Sequence, residues 1–201
     1  LMTTPARLAA LHRRIRLLVW ATIGYNVIEA AVALTAGVHA SSTALVGFGL
    51  DSVIEVAAAA AVAWQFAAAD PERREKAALR FIAVSFFVLG AYITVQSVRA
   101  LTGALEAESS PVGIGLAAVS LAVMPLLAWL QIRAGREAGS RSAVSEAKQT
   151  LLCSYLSAVL LVGLVLNALF GWSWADPVAA LVIAGFAVRE GLSAWRGDPC
   201  C

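Results

Sequence analysis

Two carboxylates, Asp51 and Glu55, stand four residues apart in the run STALVGFGLDSVIEVAAAAAVAW, which is otherwise almost entirely small or apolar. On an α-helix that spacing puts both side chains on one face. Counting from Thr43, Asp51 lies roughly 12 Å and Glu55 roughly 18 Å along the helix axis. In a helix that crosses a bilayer, both fall well inside a hydrocarbon core of about 30 Å. A single acid at such depth costs about 2.5–3.5 kcal/mol even on the lenient insertion scale. Two on one face also repel each other, so a cation, a proton or water must offset the cost. Cation binding is the chemistry this pair suits. The structural alternative is a pair in which one carboxyl is protonated and hydrogen-bonded to the other.

A second i,i+4 pair, Gln149 and Cys153, opens the apolar run QTLLCSYLSAVLLVGLVLNALF. A thiolate and an amide oxygen facing two carboxylates make four donors. Oxygen with sulfur suits Zn2+ or a similar borderline ion better than Mg2+ or Ca2+. Cys153 is about 17 residues, roughly 25 Å, from the far end of its helix, somewhat deeper than Glu55, so a tilt or an offset end is needed to bring the two level. The bland reading of a cysteine in such a helix is a small buried side chain. Nearer the N-terminus, Asn26 and Glu29 share a face, with Tyr25 beside them. Glu29 again falls near mid-membrane and reads as a gate, a proton site or an outer shell for the ion. Asn26 reads as an interhelical hydrogen bond, worth about 0.6 kcal/mol. Gln96, Ser97 and Asn167 read as packing polar groups, and His39 as a solvated loop residue.

These side chains need six apolar spans to hold them, at about 17–37, 43–69, 77–103, 111–132, 150–170 and 177–195. Of 201 residues, 60% are hydrophobic and 14% charged, too little charge to cover a soluble globule. Runs of this length in lipid must be helical, because lipid offers the backbone no hydrogen-bond partner. Pro71, Pro111 and Pro177 each follow an Asp or Ser (Asp70, Ser110, Asp176) that can cap the helix the proline begins. The sequence therefore predicts an all-α membrane protein, a six-transmembrane-helix bundle forming a single domain over residues 1–201, with no C-terminal cytoplasmic domain.

Charge alternates between the connections. Arg7, Arg13, Arg14 and Arg16 precede the first span, Arg73, Arg74, Lys76 and Arg80 surround the second connection, and Arg133, Arg136, Arg141 and Lys148 surround the fourth. The first, third and fifth connections hold no Lys or Arg, apart from Arg99 a turn inside the third span, where it could snorkel. The positive-inside rule then places both termini in the cytoplasm, with Trp172 and Trp174 at the outer interface. Three cysteines, Cys153, Cys200 and Cys201, make no disulfide framework. The terminal pair reads as free thiols, or as a metal-collecting or lipid-modified tail.

The stretch NVIEAAVALTAGVHASSTALVGFGLDSVIE resembles the first two helices of the cation diffusion facilitator family of metal transporters. FGWSWADPVAALVIAGFAVREG is similar to that family's outer turn and sixth helix, and SEAKQTLLCSYLS to its fifth, where members usually carry His and Asp at i,i+4. The resemblance implies a bundle in which helices two and five build the transport site, usually for zinc, with metal–proton antiport and a homodimer. By position, Asp51 and Glu55 fill the helix-two ligand places, and Gln149 and Cys153 stand where His and Asp would be. The sequence departs from the pattern there, and it has no His-rich loop after helix four.

Together these point to a divalent metal cation transporter, exporting Zn2+ or a similar ion in exchange for protons across a bacterial-type plasma membrane. The partners expected are the metal ion, protons, lipid and a second copy of the chain, with no nucleic acid. A non-transporting metal-binding or regulatory module is the alternative, and paired acids alone would also serve a monovalent or organic cation. No nucleophile–base pair or cofactor loop is present, so an enzyme is not expected.

Overall fold

The computed structural model describes the backbone of residues 5–66, 71–103, 106–138 and 141–196. Side chains are described for these except at 5–9, 12, 62–63, 65–66, 71–75, 141–146 and 148–149. Asp70, Cys200 and Cys201 lie outside the described residues. So do the side chains of Arg7, Arg73, Arg74, Arg141, Lys148 and Gln149.

Six helices follow one another: α1 Pro5–His39, α2 Thr43–Phe66, α3 Pro71–Leu101, α4 Pro111–Ala138, α5 Arg141–Phe170 and α6 Ala175–Arg196. All six contain a stretch long and apolar enough to cross a membrane, and the described residues contain no strand. Several helices outrun the apolar spans that announce them. α1 begins about a dozen residues before residue 17, and α4 continues past residue 132 through Arg133 and Arg136. Hydropathy marks only the part that lipid covers, whereas arginine is a good helix former and extends the helix into water.

Successive helices run antiparallel. α2 is the hub and packs against α1, α3, α5 and α6, while α3 lies along α6 and α4 along α5 and α1. The start of α1, the end of α6 and the helix ends that flank residues 67–70 and 139–140 lie at one end of the bundle, and the other three turns, tied by Glu108 N to Ala40 O and by Ser42 to Asp176, lie at the opposite end. A dry core fills the half nearer those three turns: Leu45 and Phe48 from α2, Ile93 from α3, Leu160 and Leu164 from α5, and Ile183 from α6. Close approach at the first turn depends on Gly37, where a Cβ would stand 2.8 Å from the backbone nitrogen of Val46. α3 and α5 end in left-handed glycines, Gly103 (φ 81°) and Gly171 (φ 65°), the usual helix stop.

Ser110 caps α4 as expected, its Oγ accepting from Gly113 N at 3.1 Å. Asp176 behaves differently from the simple cap predicted for it. Its carboxylate reaches across to the start of α2, accepting from Ser42 Oγ and from Ala44 N at 3.2 Å. Ser42 Oγ in turn accepts from Leu45 N at 3.1 Å. A buried anion at the positive end of α2 is favourable, and it pins the α1–α2 turn to α6. Asp176→Ala leaves those buried donors without an acceptor and is expected to lower stability by about 2–3 kcal/mol. Thermal unfolding in detergent reads this, and an unchanged melting temperature would contradict the pinning role.

Three minor sequence expectations resolve simply. Asn167 Nδ2 donates to Ala107 O at 2.9 Å and ties α5 to the α3–α4 connection. His39 is exposed at the end of α1. Gln96 is half-buried and accepts from Arg99 Nη1 at 3.0 Å, while its neighbour Ser97 is fully buried.

Candidate metal site

Beyond the dry core, toward the end that carries the termini, the interior turns polar. Asp51 and Glu55 project from one face of α2 and meet Cys153 of α5. One ligand atom from each of the three lies within 4.8 Å of the others. Asp51 and Cys153 are buried and Glu55 partly so. The Cys153 thiol donates to Glu55 Oε1, so the two side chains are level despite the mismatch in depth counted along the helices. Antiparallel helices of unequal length need not share an end plane, and residue counts alone miss the offset.

The same residues face a cavity of about 20 Å³, also walled by Phe86, Leu152, Leu156, Phe186, Ala187 and Glu190. That volume holds about one water-sized particle. None of the nine lining residues is Lys or Arg. Tetrahedral sites for zinc draw on carboxylate oxygen and thiolate sulfur, and these three donors fit that preference.

α1 supplies a supporting layer. Asn26 Nδ2 donates to Glu55 Oε2 at 2.9 Å, the interhelical hydrogen bond foreseen for it, here made to a site carboxylate. Its Oδ1 is buried with no hydrogen-bond partner. Glu29 is 1% exposed and stands apart from the three-atom cluster. Ser52 Oγ donates to Glu29 Oε2 at 2.8 Å, Ser120 Oγ to its Oε1, and Tyr25 Oη lies 2.8 Å from Ser120 Oγ. Glu29 is thus one residue removed from Asp51, through Ser52. A further polar step, Gln131 Nε2 donating to Thr22 Oγ1 at 3.2 Å, lies on the termini side of Asn26.

Four of these residues escaped the sequence reading: Ser52, Ser120, Gln131 and Glu190. A serine in an Ala-rich helix carries no signal of its own. Glu190 does carry one, since it continues the buried Ile183, Ala184 and Ala187 face of α6, where an acid is out of place.

Fold and cluster together define a multi-pass membrane protein with buried cation-type donors at mid-bundle. Residues 19–196 match the cation efflux transmembrane domain, and the chain belongs to that family. The family consists of transporters and not enzymes, in agreement with the residues. An uncharacterised transporter of Synechocystis is 25% identical over 181 residues, covering 84% of this chain and 58% of the relative. A cadmium, cobalt and zinc/H(+)-K(+) antiporter of Bacillus velezensis is 27% identical over 111 residues, 54% of this chain and 34% of the relative. An antiporter of the same description from Bacillus subtilis is 25% identical over 119 residues, 56% of this chain and 38% of the relative. The chain therefore spans just over half the length of the first and little more than a third of the other two.

Proposed function

We propose that the chain carries a divalent metal ion, zinc or one of similar softness, across the membrane through Asp51, Glu55 and Cys153. The observation that carries this reading is the convergence of two carboxylates and a thiol within 4.8 Å inside an apolar bundle. The Bacillus relatives, described as cadmium, cobalt and zinc antiporters, support the class of ion.

The charge balance follows directly. Two carboxylates and the Cys153 thiolate bring three negative charges to one M2+, and the Asn26 amide holds Glu55 by its second oxygen. Both acids must be deprotonated to bind, so protons and metal compete for one site. The arginine-rich end is cytoplasmic by the positive-inside rule, and the cluster lies on that side of the dry layer. The dry layer of Leu45, Phe48, Leu160, Leu164 and Ile183 bars the way to the other end. Transport then requires those helices to part on the far side once the ion is bound, and protons arriving from outside displace it. Gln149, a turn from Cys153 on α5, is a fourth donor in this reading.

Proteoliposomes test it. Zn2+ flux is expected to depend on an opposing proton gradient, and Zn2+ affinity in detergent to rise with pH and fall on acidification. Metal-dependent thermal stabilisation without any flux would instead favour a binding module. No stabilisation and no flux would overturn the metal reading.

A further inference from the structure

We propose that Glu190, on α6, is a further protein ligand to the transported ion, so that three helices rather than two hold it. This inference rests on the metal reading of Asp51, Glu55 and Cys153.

The cavity wall has four ionisable members, of which Glu190 is the one outside the tight three-atom cluster. The other five lining residues are hydrocarbon. Glu190 is only 9% exposed, while its neighbour Arg189 is exposed on the outer side of the helix. The helix thus turns its acid inward and its base outward. Ala187, one turn away, shares the wall with it. Six residues, roughly 9 Å, separate Glu190 from the end of α6 at Arg196.

Coordination number gives the chemical reason. Zinc-like ions take about four ligands, and the described cluster supplies three, so an anionic carboxylate competes with the neutral Gln149 amide for the fourth place. From Gln149 to Phe170, α5 offers a thiol at Cys153 and an amide at Gln149, with no carboxylate. A glutamate from α6 adds a third carboxylate to the same cavity. Because α6 also packs along α3 and against α2, a ligand on α6 couples ion binding to the mutual position of these helices. A ligand pair confined to α2 and α5 would leave α6 uninvolved.

The test uses the full chain purified in detergent, with Zn2+ and Co2+ as probes, in wild type, Glu190→Gln, Glu190→Asp and Asp51→Asn. Helical content and metal-free melting temperature are measured alongside to show that each variant folds. Zn2+ affinity is expected to fall more than about 100-fold in Glu190→Gln, beyond the roughly 10–100-fold that loss of a merely supporting partner produces. Glu190→Asp should recover part of it, and the visible spectrum of bound Co2+ should change in Glu190→Gln. Wild-type affinity and an unchanged Co2+ spectrum in Glu190→Gln, with binding lost in Asp51→Asn, would overturn the role of Glu190 and leave the site standing. Wild-type affinity in both Glu190→Gln and Asp51→Asn would overturn the site itself.

Discussion

Asp51→Asn and Glu55→Gln are each expected to abolish Zn2+ flux into proteoliposomes, to background and by at least about 100-fold. Either change keeps the side chain's size and removes one negative charge. In water that loss would be modest, but attraction between charges grows steeply as the local dielectric falls. The cluster sits among Phe86, Leu152, Leu156 and Phe186, so little solvent shares the task of stabilising the ion. With one carboxylate gone, M2+ loses one of its anionic donors where little water can replace it, and a divalent charge is costly there. Each tenfold loss of affinity corresponds to about 1.4 kcal/mol, a small part of that penalty. Both amides should leave the fold intact, because burying a neutral side chain is cheaper than burying an anion. Unchanged flux in both variants would refute the site. Flux surviving in one alone would show that the pair does not act together.

Cys153→Ser is expected to change which ion is preferred. Sulfur is the one soft donor in the cluster, and soft donors favour Cd2+ and Zn2+ over hard ions such as Mn2+ and Mg2+. Serine keeps a hydroxyl near Glu55 Oε1, so the local hydrogen bond can persist while the thiolate is lost. Cd2+ affinity should drop by about tenfold or more (about 1.4 kcal/mol), Zn2+ by less, and Mn2+ hardly at all. Competition between ions in detergent reads this order. Equal losses for all three ions would mean that Cys153 acts only through packing. No loss for any would return it to the small buried side chain that cysteine usually is in such a helix.

Much of this was legible from the residues. Six apolar spans bounded by Pro71, Pro111 and Pro177 place six helices, because lipid leaves the backbone no other structure. The i,i+4 spacing of Asp51 and Glu55 needs only helical geometry to predict a shared face. Cys153 meets Glu55 as hoped, although residue counting set it too deep. What stayed hidden depends on contacts between helices distant in sequence. Asp176 looked like a cap for its own helix and serves α2 instead, since the partner Ser42 is 134 residues away. Glu29 was singled out for its cost in lipid, yet its satisfaction by Ser52 and Ser120 comes from two other helices. Glu190 sits in the VREG run near the end of α6. Only the packing of α6 against α2 and α5 shows that it faces inward.

The central claim is that Asp51, Glu55 and Cys153 grip a single ion, and X-ray absorption at the zinc edge addresses it most directly. The protein would carry Cys200→Ser and Cys201→Ser, so that Cys153 is the remaining thiol. The account predicts one zinc per chain with a single sulfur neighbour at about 2.3 Å and oxygens at about 2.0–2.2 Å, and loss of the sulfur shell in Cys153→Ser. A zinc surrounded by oxygen alone in the protein that retains Cys153, or no bound zinc at all, would contradict it.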